Sequence, residues 1–411
     1  MSFSDYTILK IEDVCEVIDS LHKSPKYVDE GYPMIRVKDL SKGYLKFDSP
    51  AYVTKDVYEE FNKKHKPQKG DIIFSRVGSY GIVSLVNCDT DFCLGQNTVI
   101  LTHFKKDKVD NIFLYYLLTS NIVFEQIEKF VTGSTQKTIS MKSIKSIECP
   151  LPIVKKQKAI ADILSSLDDK IELNHQMNKT LEEMAQALFK RWFVDFEFPN
   201  EEGKPYKSSG GEMVESELGM IPDKWEIITI KDVAALSMGV SPSSDSYNNS
   251  EEGLPLINGA ADFKGKNISP GKYTSSPKKI CELGDMIFGV RATIGNTVFA
   301  DKQYAIGRGV AALRPKKNMD KEVIFYQLEY AMEKLLNSAS GSVFSNLKKG
   351  DIESVKFAYY QPIVQQFHNI VNPIVEKIIF NDKETLNLTL IRDSVLPKLM
   401  SGEIRVSDLK S

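Results

Sequence analysis

The sequence has few cysteines, and their arrangement excludes several classes of protein. Five cysteines are scattered through 411 residues, and none forms a Cys-x-x-Cys pair. This pattern predicts reduced thiols and no zinc site. The five histidines are also scattered, without the spacing of metal ligands. We therefore expect no metal to be bound by this chain.

Long apolar runs and an excess of one charge are missing as well. No run approaches the roughly 18 apolar residues of a membrane helix, and the first residues do not resemble a signal peptide. A net charge of −2 argues against a simple nucleic-acid coat but is compatible with local basic patches. The sequence also lacks Gly-x-x-x-x-Gly-Lys-Ser/Thr, so we expect no nucleotide motor. These features predict a cytoplasmic, globular protein of two to four domains.

A heptad pattern is the clearest signal that is present. Between residues 160 and 192, apolar residues recur at alternating steps of four and three, with Asn174 and Asn178 filling one gap. This spacing is typical of a coiled-coil helix, here about 50 Å long at 1.5 Å per residue. Such a helix needs a partner, because its apolar stripe is otherwise exposed. The predicted seam residues include Ile160, Leu164, Leu167, Ile171, Leu181 and Leu188.

The partner is predicted later in the same chain. Residues 361–400 repeat the pattern, and Pro-Ile-Val recurs at 152–154 and 362–364. Asn381 falls where Asn174 falls, and a seam Asn can fix the register of a helix pair. Asn372-Pro373 interrupts the pattern, which predicts a kink or a new helix start. The alternative interpretation of these apolar stripes is ordinary core packing in a globular domain. The second seam includes Ile374, Ile378, Leu388 and Val395.

The regions around these helices also form a repeat. Gly70-Asp71-Ile72-Ile73-Phe74 resembles Gly284-Asp285-Met286-Ile287-Phe288. Such internal repeats define the organisation of a chain. We predict a globular domain at 1–150, a helix at 151–194, a linker at 195–220, a second domain at 221–360, and a second helix with a tail at 361–411. The expected fold class is α+β: two similar α/β domains separated by two long helices that form an antiparallel coiled coil with pseudo-two-fold symmetry.

The order of these motifs resembles the DNA specificity subunit of type I restriction-modification systems. The resemblance rests on Pro-Leu-Pro-Ile-Val at 150–154, Leu-Phe-Lys-Arg-Trp-Phe at 188–193, Gly-x-Ile-Pro-x-x-Trp at 219–225, and Leu-Pro-Lys-Leu-Met-Ser-Gly-Glu-Ile at 396–404. Lys-Gly-Asp-Ile-Ile-Phe-Ser-Arg at 69–76 and Gly-Ser-Thr-Gln-Lys-Thr-Ile-Ser at 133–140 are similarly typical. The resemblance covers nearly the whole chain, and the combined order of motifs is more specific than any one of them.

This resemblance implies a function. Each globular domain would be a target recognition domain that reads one half of a bipartite, asymmetric DNA site. The helices would space the halves and bind two methyltransferase (modification) subunits, which motor-nuclease (restriction) subunits join. The chain would not be an enzyme and would bind no cofactor, since S-adenosylmethionine, ATP and Mg²⁺ are expected on the partner subunits. The alternatives are a DNA-binding enzyme with a cryptic nuclease or methyltransferase site, and a purely structural scaffold.

Candidate DNA-contacting residues lie in loops at matched places in the repeat. Base reading requires donors and acceptors in the major groove, whereas phosphate contacts only position the protein. Turn and cap residues of solvated loops are the alternative interpretation. The candidates in the first domain are Ser75, Arg76, Ser79, Tyr80, Gln96, Asn97, Thr135, Gln136 and Lys137, and those in the second are Asn258, Arg291, Thr293, Arg308, Ser342 and Ser345.

Overall fold

The computed structural model describes residues 6–133, 137–264, 267–291, 297–338 and 347–406. The chain divides into two compact units. Unit 1 comprises Met1–Asn174 and Glu384–Ser411, and unit 2 comprises His175–Lys383. Unit 1 is therefore built from both ends of the chain, whereas unit 2 is one continuous segment.

Unit 1 is a mixed α/β unit. Its described part contains a five-stranded sheet in the order Glu16–Asp19, Thr98–Thr102, Ile72–Ser75, Val83–Leu85 and Gly43–Tyr44. A three-stranded sheet has the order Ala51–Val53, Tyr32–Ile35 and Cys93–Leu94, and Thr7–Lys10 pairs antiparallel with Glu148–Leu151. The short helices are Ile11–Val14, Lys55–Phe61, Asn111–Thr119, Asn121–Phe130 and Met141–Lys145, with a 3₁₀ turn at Val37–Asp39.

Unit 2 repeats this plan with additions. Its described part contains a sheet ordered Ala234–Met238, Val310–Pro315, Met286–Gly289 and Thr297–Phe299. A second sheet has the order Tyr247–Asn248, Tyr273–Thr274, Leu254–Ile257, Tyr304–Ile306 and Ile280–Cys281. The smaller pairs are Glu226–Thr229 with Lys356–Tyr359, Met213–Ser216 with Gly219–Pro222, and Phe263–Lys264 with Asn267–Ile268. An 18-residue helix spans Lys321–Ser338. The short helices are Ile230–Val233 and Lys349–Glu353, with 3₁₀ turns at Ser244–Ser246, Ala260–Asp262 and Asn318–Asp320.

The sequence repeat corresponds to a repeat of local structure. The Lys10 amide donates to the carboxylate of Asp13 at 2.9 Å, and the Thr229 amide donates to that of Asp232 at 2.8 Å. Each aspartate closes the first turn of a four-residue helix by satisfying an amide that the turn leaves free. The two domains are thus confirmed as related folds.

Two long helices run Val154–Phe189 and Gln361–Ser401, which we call the first and second long helices. A π-helical turn at Lys190–Val194 follows the first. Within each unit, the part of the first long helix pairs antiparallel with the part of the second that belongs to the same unit. In unit 1, Asp168 contacts Arg392 while Asn174 contacts Thr385. In unit 2, Asn178 contacts Asp382, while Trp192 packs on Phe367.

The helix starts also correct the predicted alignment of the repeat. Val154 and Gln361 occupy equivalent first positions, an offset of 207 residues that also relates Asn174 to Asn381. The recurring Pro-Ile-Val triplets, at an offset of 210, therefore do not occupy equivalent positions. In the second copy the triplet lies inside the helix, whereas in the first it lies mostly before it.

The seam residues differ in how deeply they are buried. Ile160, Leu164 and Ile378 are buried, and the two seam asparagines are fully buried. The other predicted seam residues are half-buried: Leu167, Ile171, Leu181, Leu188, Ile374, Leu388 and Val395. Ile160 and Leu164 belong to the core cluster of unit 1, which covers this part of the first long helix.

The alternative of a new helix start at Asn372-Pro373 was wrong. The second long helix continues through Pro373 without a new start, and Asn372 bonds forward to Glu376 instead of capping. Core packing of Val371 and Val375, at 0% and 5% exposure, outweighs the lost backbone hydrogen bond. The apolar stretch 111–130 forms two helices that meet at Ser120.

The segment 195–220, predicted as a linker from its polar composition, is folded. It contains the strand Met213–Ser216, which pairs with Gly219–Pro222. The Phe198 ring stacks on Tyr206 at 4.6 Å between centroids and lies 5.2 Å from the Trp225 ring. Burial of these aromatic rings holds the segment against the rest of unit 2 despite its many polar residues.

Candidate nucleic-acid interface

In unit 1, Arg76 connects three loops that are far apart in sequence. Its amide donates to the carbonyl of Asn97 at 2.9 Å, and its guanidinium donates to the carbonyl of Ile139 at 3.3 Å. The same guanidinium pairs with Asp19 at 2.6 Å, and the Arg76 side chain is only 13% exposed. Arg76 therefore organises the predicted interface, and any contact with DNA requires it to share or release Asp19.

Ser75 and Ser79 have a structural arrangement in the neighbouring turn. The Ser75 hydroxyl donates to the Ser79 carbonyl at 2.5 Å and accepts the Ile82 amide at 2.8 Å. Ser75 is fully buried, whereas Ser79 is exposed. The structure thus places Ser75 inside the turn and away from the surface, where its role is to shape the loop.

Tyr80 and Lys137 are brought together, as expected for one interface. The Lys137 ammonium lies 5.7 Å from the centre of the Tyr80 ring. The Tyr80 hydroxyl donates to Glu128 at 2.6 Å, a hydrogen bond that raises the pKa of Tyr80. Gly78 donates its amide to the Lys137 carbonyl at 3.0 Å, so the two loops are also joined by their backbones.

Gln96 and Asn97 complete this group. The Gln96 amide side chain donates to Ser24 at 3.2 Å, and Asn97 adopts a left-handed φ of 69°. Asparagine tolerates this conformation better than most residues, which explains its place at the turn. The remaining candidates of this domain, Thr135 and Gln136, lie outside the described residues.

In unit 2, Asn258 performs the same joining role. Its carbonyl accepts the Gly309 amide at 3.1 Å, and its amide donates to Asp262 at 2.8 Å. A Cβ atom added to Gly309 would lie 2.1 Å from that carbonyl, so only glycine allows this approach. The exposed Arg308 side chain stands on a backbone that is fixed on both sides.

Arg291 is the second exposed arginine near these loops. It follows Val290, whose amide donates to the Gly309 carbonyl at 3.0 Å. Two guanidinium groups therefore extend from joined loops, which is the residue type that most often contacts guanine and phosphate. The other candidates in this domain, Thr293, Ser342 and Ser345, lie outside the described residues.

The seam asparagines bridge the helices. In unit 1, Asn174 donates to Glu384 at 2.9 Å and to Thr385 at 3.3 Å. In unit 2, Asn381 donates to the side-chain carbonyl of Asn178 at 2.8 Å. A one-turn slip would break these buried contacts, which supports the predicted role of both asparagines in fixing register.

Sequence reasoning missed a buried polar network in unit 1. Asp168 accepts the Tyr116 hydroxyl at 2.6 Å and the Arg392 guanidinium at 2.7 Å. The network joins the recognition domain to both helices. Its members, like the Asp19 partner of Arg76, are distant in sequence, so no local pattern identified them.

Within the described ranges, no three His, Cys, Asp or Glu side chains are placed to hold a metal ion. The search for membrane spans over those same residues found no helix of sufficient length and apolarity. The expectations of no metal, no cofactor and no catalysis stay predictions.

Comparison with known proteins defines the class. A family model described as the type I restriction modification DNA specificity domain matches residues 4–183 and 222–363. The chain belongs to this family. It is a specificity subunit of a type I restriction-modification system.

Relatives match over nearly their full length. The chain is 29% identical over 414 residues to the putative type I restriction enzyme MjaX specificity subunit of Methanocaldococcus jannaschii, covering 98% of this chain and 94% of that one. It is 26% identical over 402 residues to the HindI specificity subunit of Haemophilus influenzae, with coverage of 82% and 87%. The crystal structure of the type I S subunit from M. genitalium shares the fold, with a TM-score of 0.63, 20% identity, and 96% coverage of both chains.

Proposed function

We propose that the chain reads a bipartite, asymmetric DNA site, with one half-site read by each unit. The observation that carries this proposal is that hydrogen bonds join three distant loops in each unit, and that these loops carry exposed polar side chains such as Gln96 and Arg308. Equivalent positions carry different side chains. Gln96 follows Gly95 in unit 1, and Arg308 follows Gly307 at the matching place in unit 2. Different donors at equivalent places favour different base pairs, so the two half-sites should differ.

We also propose that the paired long helices set the number of unread base pairs between the half-sites. Half-sites one turn of DNA apart are separated by roughly 34–36 Å. Buried asparagines and the Asp168–Arg392 pair fix the helix register within each unit. A fixed register gives a fixed spacing, which a flexible connection would not.

The helices also offer surface for partner subunits. Each part of the helix pair exposes large apolar side chains, which are costly unless a partner covers them. We propose that two modification subunits bind here and that restriction subunits join them. S-adenosylmethionine, ATP and Mg²⁺ would be bound by those subunits, and this chain would supply recognition without catalysis. The exposed side chains are Leu173, Leu386, Leu390 and Ile391 in unit 1, and Met184, Ile370 and Phe380 in unit 2.

The test is methylome sequencing of a host that carries this chain with its partner genes. We expect one methylated motif with two different defined halves and a constant gap. A continuous motif, or a motif with only one defined half, would contradict the proposal. Purified chain incubated with DNA and Mg²⁺ tests the enzymatic alternative, because only a cryptic nuclease cuts.

A further inference from the structure

Unit 2 contains a cleft that the reading of DNA does not explain. It has a volume of about 650 Å³, within the range of about 300–1,000 Å³ typical of ligand sites. Its floor is aromatic, formed by Trp225, Phe198, Tyr206 and Tyr360. The segment 195–220 supplies one wall, and the start of the second long helix supplies the other.

The rim of this cleft is acidic. Glu201, Glu202, Glu212 and Asp223 line it together with Lys224, and Glu202 pairs with Lys204 at 2.8 Å. Burial, together with Asp223 and Glu212, raises the pKa of Tyr206, as expected where negative charge is concentrated. Acidic side chains repel phosphate, so this surface is unsuited to DNA and suited to a cation.

The place in unit 1 that corresponds to this cleft holds a positively charged side chain. Tyr6 precedes the strand Thr7–Lys10 as Trp225 precedes Glu226–Thr229. In unit 1 the Lys156 ammonium lies over the Tyr6 ring, 5.1 Å from its centre. Lys156 is the third residue of the first long helix, and the third residue of the second is Ile363, which lines the cleft and carries no charge. The chain thus places its own cation on the Tyr6 ring, and an uncharged side chain stands at the matching helix position beside Trp225.

We propose that the cleft binds a lysine or arginine side chain on a basic segment of a partner subunit. The acidic rim attracts the cation, and the half-buried rings of Tyr206 and Tyr360 offer aromatic surface to its apolar stem. The proposal relies on the proposed assembly only for the identity of the protein that carries the segment. Binding of a basic peptide can be measured on this chain alone.

The test uses fluorotryptophan in the full chain. The chain has two tryptophans, so fluorine NMR gives one signal from the cleft, Trp225, and one from the core, Trp192. Acetyl-tetra-arginine amide is titrated, with acetyl-tetra-glutamate amide as the control peptide. We expect a saturable shift of the Trp225 signal that weakens with salt, and no comparable shift of Trp192.

Charge variants identify the site. The combined substitution Glu201→Gln, Glu212→Gln and Asp223→Asn should weaken tetra-arginine binding about ten-fold, because each partly exposed charge contributes modestly. The matched control, Glu183→Gln with Glu251→Gln and Glu252→Gln, removes three charges elsewhere and should leave binding unchanged. Thermal unfolding of both variants confirms that they fold.

Several results would overturn the proposal. The first is the absence of a saturable shift of the Trp225 signal at millimolar peptide. The second is an equal loss of binding in the two charge variants. The third is a Trp225 signal that shifts with protein concentration alone, which would assign the cleft to a second copy of the chain. Failure of DNA binding in a gel shift would contradict the proposed function instead, so the two failures are distinguishable.

Discussion

The buried network around Asp168 allows a quantitative test of how unit 1 holds its helices. The Asp168 side chain is 8% exposed and that of Arg392 is 25% exposed, and the hydroxyl of Tyr116 donates to the same carboxylate. Removing one partner of a buried ion pair leaves a charge without compensation, which costs about 3–5 kcal/mol. Because a quarter of Arg392 is exposed, we expect Arg392→Met to destabilise unit 1 by about 2–3 kcal/mol.

Replacing the whole network should cost much less than breaking it. At the equivalent places in unit 2, by the offset of 207 residues, lie Val375 and Ala185, both buried and apolar. The triple variant Tyr116→Phe, Asp168→Val and Arg392→Met removes both charges and the hydroxyl that would otherwise lose its acceptor. We expect its stability to lie within about 1 kcal/mol of the natural chain.

Hydrogen exchange measured by mass spectrometry is the suitable assay, because it reports on the two units separately. Both tryptophans lie in unit 2, so fluorescence serves as the internal control. Lys170→Met is the matched variant: its pair with Glu384 joins the same helices, but Lys170 is 40% exposed, and we expect a cost below about 1 kcal/mol. Equal destabilisation by Arg392→Met and the triple variant would refute the reasoning.

Three further predictions concern recognition, spacing and thiol reactivity. Alanine at Arg291 and Arg308 should weaken DNA binding by about 1–3 kcal/mol for each lost contact with a base. If the lost contact is with a phosphate, the log–log slope of binding against salt concentration should instead fall by about 0.9. Gel shifts at several salt concentrations measure both quantities. Matched seven-residue insertions beside the two seam asparagines lengthen both long helices by about 10 Å. We expect them to widen the gap of unread base pairs between the half-sites by roughly three base pairs. A methylome that shows an unchanged gap would refute this. Burial raises the pKa of Cys15 to about 12, so its thiolate is scarce at pH 8, and iodoacetamide should modify the half-buried Cys88 first, as mass spectrometry can determine.

The helices and the repeat were predictable because their signals are local. Heptad spacing identifies a seam, and an asparagine within it predicts a polar bridge, as Asn174 and Asn381 show. The candidate interface loops were chosen by their position in the repeat, and their contact with DNA stays a prediction. The orientation of each side chain was not predictable, since Ser75 turns inward and Arg76 pairs with an aspartate 57 residues away.

Composition misled where a few residues decided the structure. The segment 195–220 is polar on average, but Phe198 and Tyr206 are sufficient to anchor it beside Trp225. Pro373 predicts an interruption by propensity, and tertiary packing overrides it. Both errors arise because local sequence signals do not show which side chains become buried when the chain folds.

The origin of unit 1 from both ends of the chain affects how the protein matures on the ribosome. Leu399 and Met400, with 0% and 1% exposure, belong to the same core as Ile11 and Phe113. The N-terminal segment is translated before unit 2 but cannot complete that core until Leu399 and Met400 have left the exit tunnel. Unit 2 is continuous and can fold earlier. The half of the protein that is translated first is therefore the last to be finished, and nascent chains that stop early would expose its apolar interior to chaperones and proteases.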